Sequence, residues 1–230
     1  MIKYDIIFFD ADDTLLDFQK AERTALAEVF KSYGVEDSEE IFNKYIEINN
    51  KLWKSFELGE IAKEDILNSR FTLLFQELCL DKDGIKCNND YLDALGRGDF
   101  LLEGSIEVCE YLSKYCDLYI VTNGVSKTQH SRIDNSPLMK YIKGVFVSEE
   151  VGYQKPLKEY FDFVFKAIGE VDRTKALIVG DSLSSDILGG INAGIDTCWF
   201  NPYKKENTLG IKADYEIKDL QELYGIIEEK

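Results

Sequence analysis

The chain has 230 residues, 45% of them hydrophobic, so it can bury a core as one large domain or two smaller ones. Its 27 Lys and Arg against 43 Asp and Glu give a net charge of −16, and a surface this negative repels nucleic-acid phosphates and anionic lipid. No apolar run reaches the roughly 20 residues that span a bilayer, and the N-terminus lacks the pattern of a signal peptide. We therefore expect a cytoplasmic protein that binds neither a nucleic acid polymer nor a membrane.

Short continuous apolar runs predict strands that are buried on both faces of a parallel sheet. The first run covers residues 6–9, and more than a hundred residues without a convincing strand follow it. Further runs lie at 118–121, 145–147, 176–179 and 197–200, with a weaker edge strand at 215–217. Helical patterns at 105–115, 156–168, 184–193 and 219–229 have the length of crossover connections. The fold class is therefore predicted as α/β, with a Rossmann-like parallel sheet.

The long segment after the first run has helical periodicity throughout. Apolar residues recur at three- and four-residue steps, and the predicted helices cover 20–33, 39–58, 63–80 and 89–95. This pattern predicts a helical bundle inserted into the α/β domain. We expect residues 1–16 and 99–230 to form the α/β core domain and residues 17–98 to form the inserted domain.

Cysteine and histidine offer little chemistry. The five cysteines are odd in number, form no C-x-x-C pair and have one histidine to join them, so we interpret them as reduced thiols of the core. That histidine, His130, follows the second strand on a predicted helix beside Gln129 and Arg132, and we interpret it as a surface or core-edge residue.

Acidic residues are concentrated where the first strand ends. Asp10, Asp12 and Asp13 fall within four residues at this point, and the carboxyl ends of parallel strands are where open α/β sheets bind ligands. Repulsion among such carboxylates is tolerable when a divalent cation lies between them, and Mg²⁺ suits oxygen ligands. A solvated acidic turn is the alternative interpretation of this segment taken alone.

Two other strand ends and one helix start add complementary groups. The second strand ends at Thr122, and the fourth is followed by Asp181, with Asp186 at the start of the next helix. Lys155 stands immediately before Pro156 at the predicted start of another helix. Each residue has an ordinary structural explanation alone, but acids, a hydroxyl and an ammonium around one edge of a sheet predict a catalytic site.

The order of these motifs resembles that of the haloacid dehalogenase (HAD) superfamily of phosphohydrolases. The matching elements are Asp10-x-Asp12-x-Thr14, then Thr122 after an apolar strand, then Lys155-Pro156, then Gly180-Asp181 with Asp186 five residues on. The helical insert resembles the C1 cap of that family, so the resemblance spans nearly the whole chain.

The resemblance implies a role for each motif residue. Asp10 would be the nucleophile that forms an aspartyl-phosphate, and Asp12 the general acid and base. Phosphate would be held by residues that line the strand ends, namely Asp10, Ala11, Asp12, Thr122, Asn123 through its backbone N–H, and Lys155. Mg²⁺ would be held by Asp10, the backbone carbonyl of Asp12 and Asp181, and Asp186 would act either through water or by orienting Lys155.

Asp12 indicates the type of reaction. In the family, dehalogenases carry an aromatic residue at this place, phosphonate-cleaving members an alanine and ion-pumping ATPases a threonine. Aspartate therefore implies hydrolysis or transfer of a phosphate ester.

Other local strings resemble the house-cleaning pyrimidine 5′-nucleotidases, which hydrolyse nucleoside monophosphates such as UMP, dUMP and dTMP. One string lies at residues 8–15, a second at 49–53 together with Gly59 and Arg70-Phe71, and a third at 148–152 together with 189–194. Asn49, Trp53 and Arg70 are candidate substrate contacts, although aromatic residues on amphipathic helices are also typical of a bundle core, and Asn49 and Arg70 of inter-helix contacts. The expected partner is a small phosphorylated metabolite, and the sequence leaves base preference and oligomeric state open.

Three alternatives stay open. Within the family, the protein could be a broad sugar-phosphate or phosphoglycolate phosphatase, or a phosphosugar mutase that keeps water from the aspartyl-phosphate. A signalling module that carries an aspartyl-phosphate belongs to a different class, but such modules have no room for the long insert after the first strand. The third alternative is a silent binding protein, which the intact acids and lysine disfavour.

Overall fold

The computed structural model describes residues 2–169 and 171–228. The chain divides into two compact units between Phe18 and Gln19 and again between Gly98 and Asp99. We call residues 19–98 the helical unit and the two flanking segments together the core unit. The sequence predicts a core domain of residues 1–16 and 99–230 and an inserted domain of residues 17–98, so its first boundary falls two residues earlier. Within the two described ranges, no helix combines the length and the apolar character needed to cross a membrane.

Six parallel strands form the sheet of the core unit. They lie in the order β3-β2-β1-β4-β5-β6, and their bounds are β1 (Ile6–Phe9), β2 (Asp117–Thr122), β3 (Ile142–Val147), β4 (Ala176–Gly180), β5 (Asp196–Phe200) and β6 (Tyr215–Ile217). The prediction of an α/β fold with a Rossmann-like parallel sheet is confirmed, including its weak edge strand.

β1 shows why a continuous apolar run marks a central strand. Successive side chains point to opposite faces of the sheet, so Ile7 and Phe9 pack in one hydrophobic cluster while Ile6 and Phe8 pack in another. All four side chains are buried, because each face of the sheet carries its own core layer. β1 is therefore fixed from both sides, which gives the residue after Phe9 a rigid support.

Four helices belong to the inserted segment: α1 (Phe18–Tyr33), α2 (Glu39–Glu57), α3 (Lys63–Glu77) and α4 (Gly84–Leu95). The fourth begins earlier than its apolar pattern predicted, because the Asp83 side chain caps it by accepting from the Lys86 backbone N–H at 2.9 Å. Tyr45, Phe71 and Tyr91 fill the centre of the helical unit with ring centroids 4.9 to 5.8 Å apart.

The helices of the core unit are α5 (Ser105–Leu112), α6 (Ser126–Ile133), α7 (Ser148–Val151), α8 (Lys158–Ile168), α9 (Leu188–Ala193) and α10 (Leu223–Ile226). All four helices predicted for this unit depart from their bounds, and the first ends at Leu112 instead of residue 115. Pro156 precedes α8, because Leu157 has extended backbone and the helix begins after it. A π-helical turn at Leu183–Ile187 precedes α9, and the last helix is short, with its predicted end at residue 229 outside the described residues.

The cysteines correct one prediction. All five lie in the described ranges and carry free thiols, and Cys87, Cys109, Cys116 and Cys198 are buried. Cys79 is exposed instead of lying in the core, because it follows the end of α3 in a left-handed backbone conformation with φ of 54°. Four of the five therefore act as small core residues.

His130 lies on α6 between two carboxylates and is partly exposed. Its Nε2 atom is 2.9 Å from Glu150 Oε1, and its Nδ1 atom is 3.4 Å from Asp134 Oδ1. Partial burial lowers the pKa of His130, but the two carboxylates raise it by more, so the net shift is upward from 6.5.

Because the chain has one histidine, its proton NMR titration is a single curve. We expect a midpoint above 6.5, and we expect Glu150→Gln to lower it. Glu149→Gln is the matched control, since Glu149 instead accepts from the Ser126 N–H at 3.0 Å. The stabilisation from His130 is full below 6.5 and is lost as pH rises through the raised pKa. A midpoint at or below 6.5 would contradict this prediction.

Candidate active site

The strand order places the candidate site at the carboxyl edge of β1. β1 lies between β2 and β4, where the order of the strands reverses, and open α/β sheets bind ligands at such a switch point. Phe9 is in register with Ile120 on β2 and Val179 on β4. The next residue, Asp10, donates its backbone N–H to the Val179 carbonyl at 2.9 Å. The ends of β1, β2 and β4 therefore bring their polar residues to one edge.

Lys155 joins two of the predicted acids. Its side chain is 1% exposed, and its Nζ atom lies 2.6 Å from Asp10 Oδ1, 2.6 Å from Asp186 Oδ1 and 2.8 Å from the Val121 carbonyl oxygen. These three contacts use the three hydrogens of the ammonium. A phosphoryl oxygen bound by Lys155, as the sequence predicts, would share a hydrogen with one of these acceptors.

The opposite charges of Lys155 and of Asp10 and Asp186 each favour the ionised form of the other. Burial lowers the pKa of Lys155 when taken alone, but Asp10 and Asp186 reverse this, so the net pKa is raised and the ammonium persists at neutral pH. Burial also raises the pKa of Asp10 well above its usual range, although Lys155 opposes the rise. A cation added beside Asp10 would favour the carboxylate form that a nucleophile requires.

Asp186 orients Lys155 and is itself fixed. Its second oxygen, Oδ2, accepts from the Ser182 backbone N–H at 3.0 Å, so both oxygens have partners. A Cβ atom on Gly180 would lie 2.3 Å from the Asp186 carboxyl group. Glycine at the end of β4 is therefore required for Asp186 to reach Lys155.

Asn123 has a function that the sequence did not indicate. Its side-chain Nδ2 donates to the Lys155 carbonyl at 2.8 Å, and its Oδ1 accepts from the Lys155 backbone N–H at 2.9 Å. The amide thus holds the backbone of a residue 32 positions away. Its predicted phosphate contact through the backbone N–H stays a prediction.

Three carboxylates form a set that fits a divalent cation. Asp10, Asp181 and Asp186 each offer one oxygen within 4.8 Å of the others, and an all-oxygen set suits Mg²⁺. Asp181 is held by Trp199, whose Nε1 donates to its carbonyl at 2.9 Å. Burial raises the pKa of Asp181 to about 7, against the opposing charge of Lys205 3.0 Å away.

The side chain of Asp12 lies outside this set and faces α6. Arg132 donates from Nη1 to Asp12 Oδ1, and Gln129 Nε2 donates to Asp12 Oδ2 at 2.7 Å. The same Gln129 nitrogen donates to Thr122 Oγ1 at 2.8 Å. The sequence named Gln129 and Arg132 only as neighbours of His130, so their contact with the predicted acid is a finding of the structure.

The loop after β1 turns back at Ala11. Its carbonyl accepts from the backbone N–H groups of Leu15 at 3.0 Å and Leu16 at 2.8 Å. Asp13 adopts a φ of 56° in this turn, a left-handed conformation that Asp and Asn tolerate better than most residues. Ala11 as a phosphate contact and the Asp12 carbonyl as a metal ligand stay predictions.

The predicted substrate contacts have partners inside the helical unit. Arg70 donates from Nε to Asn88 Oδ1 at 2.7 Å and from Nη1 to Asn49 Oδ1 at 3.2 Å, and Asn49 and Arg70 are buried. Trp53 packs edge-on against Phe56, with ring centroids 5.7 Å apart. Contact of Asn49, Trp53 and Arg70 with a substrate stays a prediction.

A switch-point site built from acids and one buried lysine is an arrangement suited to a hydrolase. Residues 4–194 match the haloacid dehalogenase-like hydrolase family, and the chain belongs to it, which confirms the resemblance inferred from the motifs. The chain is 37% identical to the pyrimidine 5′-nucleotidase PynA of Streptococcus pneumoniae, over 98% of this chain and 95% of PynA. It is 35% identical to the pyrimidine 5′-nucleotidase YjjG of Escherichia coli, over 98% of this chain and 99% of YjjG.

A solved structure is similar over the full length. The HAD-hydrolase YfnB from Bacillus subtilis, in a crystal form bound to magnesium, matches with a TM-score of 0.94 and 42% identity. The match covers 99% of this chain and all of the YfnB chain. This likeness extends the family assignment beyond residue 194.

Replacement of Lys155 tests whether the buried ammonium holds the site together. We expect Lys155→Met to lower the free energy of unfolding by about 3 to 5 kcal/mol, because two buried carboxylates lose their shared cation. Lys158→Met is the control, since the exposed pair of Lys158 with Asp162 contributes about 0.5 kcal/mol or less. Urea unfolding followed by circular dichroism measures both. Equal effects of the two replacements would contradict this account of Lys155.

Proposed function

We propose that the protein is a Mg²⁺-dependent phosphomonoester hydrolase that acts through an aspartyl-phosphate on pyrimidine nucleoside 5′-monophosphates. The observation that carries the proposal is the joining of Asp10 and Asp186 by Lys155, with Asp181 beside them, at the switch point of the sheet. The similarity to two pyrimidine 5′-nucleotidases supports the substrate class.

In the first half of the reaction, Asp10 attacks the phosphorus of the ester. Lys155 holds Oδ1 of Asp10, so Oδ2 is the oxygen that forms the new bond. The bond from phosphorus to the ester oxygen breaks, and the electron pair leaves with that oxygen. Asp12 gives it a proton, so the alcohol departs neutral.

In the second half, water attacks the same phosphorus. Asp12, now a carboxylate, takes one proton from the water, and the bond from phosphorus to Asp10 breaks. Inorganic phosphate is released, Asp10 regains its carboxylate and Asp12 regains its proton. Thr122 and the backbone N–H of Asn123 hold the phosphoryl oxygens in both halves.

Asp10, Asp181 and Asp186 offer the carboxylate oxygens that would hold Mg²⁺ or orient its waters, and the backbone carbonyl of Asp12 would be a further ligand. When bound, Mg²⁺ offsets the repulsion between Asp10 and a phosphate dianion and draws charge from the phosphoryl oxygens. The magnesium in the YfnB structure supports this choice of cation.

The strand order disfavours the signalling module. Receiver domains have the flavodoxin-like order 2-1-3-4-5, whereas the sheet here has the order 3-2-1-4-5-6. The family match supports a hydrolase in place of a signalling or silent binding protein.

Replacement of the nucleophile tests the covalent route. We expect Asp10→Asn to lower phosphate release from p-nitrophenyl phosphate by at least about a thousandfold, because an amide oxygen is a poor nucleophile. Asp13→Asn is the matched control, since it removes one charge from the same loop and asparagine tolerates the left-handed backbone of residue 13. Activity of Asp10→Asn close to that of the control would overturn the covalent mechanism.

A substrate panel tests the nucleotidase assignment. Phosphate release from UMP, dUMP, dTMP, AMP, a hexose phosphate and phosphoglycolate is measured side by side with Mg²⁺. We expect kcat/KM for the pyrimidine nucleotides to exceed that for the others by at least about tenfold, since recognition of a base adds binding energy. Preference for the sugar phosphate or for phosphoglycolate would replace the nucleotidase by the broader phosphatase.

A further inference from the structure

Two buried side chains of α6 contact Asp12, the residue predicted to act as both general acid and general base. Arg132 is 0% exposed and Gln129 is 1% exposed, and both reach the carboxylate of Asp12 across more than a hundred residues of chain. The guanidinium carbon of Arg132 lies 5.7 Å from the centroid of the Phe18 ring. Long polar side chains are seldom buried so fully unless their partners make the burial favourable.

The amide of Gln129 has one orientation in this network. Its Oε1 accepts from Arg132 Nη1 at 3.3 Å, so the amide oxygen faces the guanidinium. Its Nε2 therefore faces the opposite way and donates to both Asp12 Oδ2 and Thr122 Oγ1. Arg132 thus orients Gln129, and Gln129 links the acid to the threonine.

The network fixes Asp12 without enclosing it. Each carboxylate oxygen has one partner on α6, and a carboxylate offers about four acceptor positions in all. The side chain is 26% exposed, so it keeps an open side. A proton donor held in one orientation acts on a leaving oxygen more efficiently than one that rotates freely.

The network also determines whether the hydroxyl of Thr122 donates or accepts a hydrogen bond toward a ligand. Its Oγ1 accepts from Gln129 Nε2 at 2.8 Å and from the Gly124 backbone N–H at 3.1 Å. A hydroxyl oxygen has two acceptor positions, so both are taken, and the O–H hydrogen points elsewhere. The hydroxyl is therefore set as a donor, which is the polarity that a phosphoryl oxygen requires.

Gly124 makes room for this arrangement. A Cβ atom at residue 124 would lie 2.4 to 2.6 Å from the side chain of Gln129, closer than real Cβ contacts. Gly124 therefore leaves the space that the Gln129 side chain occupies, so the contact depends on the loop after β2 as well as on α6.

We propose that Gln129 and Arg132 are positioning residues for the reaction: they fix Asp12 toward the leaving group and set Thr122 to donate to the phosphoryl group. The inference rests on the proposed function, in which Asp12 protonates the leaving oxygen. It assigns a role in protonation to two residues of α6 that carry none of the four motifs.

Two aryl esters separate protonation from all other effects. p-Nitrophenyl phosphate releases an acidic phenol that departs without a proton, whereas phenyl phosphate releases a basic phenolate that needs one. The two esters share a ring, so binding differs little. kcat/KM reports the steps up to cleavage of the ester bond, so later hydrolysis of the aspartyl-phosphate does not enter the comparison.

We expect Gln129→Met and Arg132→Lys to lower the ratio of kcat/KM for phenyl phosphate to that for p-nitrophenyl phosphate by about tenfold or more. Gln129→Met keeps the length and bulk of the side chain, and it tests the inference even if Arg132→Lys fails to fold. Ser131→Ala, an exposed change on the same helix, should leave the ratio unchanged.

A double-mutant cycle completes the test. Asp12→Asn should lower the ratio by itself, and adding Gln129→Met to Asp12→Asn should lower it no further, because both act through one proton transfer. Equal losses on both esters in Gln129→Met, or independent effects in the double variant, would overturn the positioning of Asp12 while leaving the proposed function intact. An Asp10→Asn variant that is as active as the wild type would instead overturn the proposed function.

Discussion

One buried ammonium makes the rest of the site possible. Asp10 and Asp186 each approach Lys155 Nζ at 2.6 Å, and two carboxylates this close in a buried setting would repel each other strongly without it. Two neighbouring residues stabilise the contacts of Lys155 with these acids. Asn123 holds the backbone of Lys155, and Gly180 leaves space for the side chain of Asp186. Position, charge and packing at the end of β1 therefore depend on the same lysine.

The sheet and the strand-end residues could be predicted because they follow from short-range patterns and one rule of topology. Apolar runs identified every strand among residues 2–169 and 171–228, including the edge strand that ends at Ile217. Parallel strands end at one edge, so Asp10, Thr122 and Asp181 could be placed together from the sequence alone. The local conformation at Asp186 was less predictable, since this residue lies in the π-helical turn before α9 and a periodic pattern does not distinguish a π-helix from an α-helix.

Contacts of polar side chains that belong to none of the four motifs could not be predicted. Gln129 and Arg132 lie 117 and 120 residues from Asp12, and on a helix they have the pattern of a solvated surface. The side chain of Asn123 was assigned nothing for the same reason. In the helical unit, Asn49 and Arg70 are buried and hydrogen-bonded to each other. Sequence spacing alone does not decide whether two such residues pack together or bind a ligand. A weak signal existed in Gly124, because a glycine beside a strand end often marks close approach of another group.

The net charge of −16 bears on how the site can bind an anion and on why Lys155 and Arg132 are buried beside carboxylates. Burial of a cation is costly unless anions compensate it, and Lys155 and Arg132 are both almost fully buried with site carboxylates as partners. Long-range attraction cannot bring a phosphate ester to an acidic protein, because the two carry charges of the same sign. Salt at physiological concentration also screens exposed charges beyond about 8 to 10 Å. In the proposed function, affinity for the phosphoryl group would therefore come from short-range donors and from Mg²⁺ bound by Asp10 and Asp181. The two buried basic residues hold Asp10, Asp12 and Asp186 in place through direct contacts.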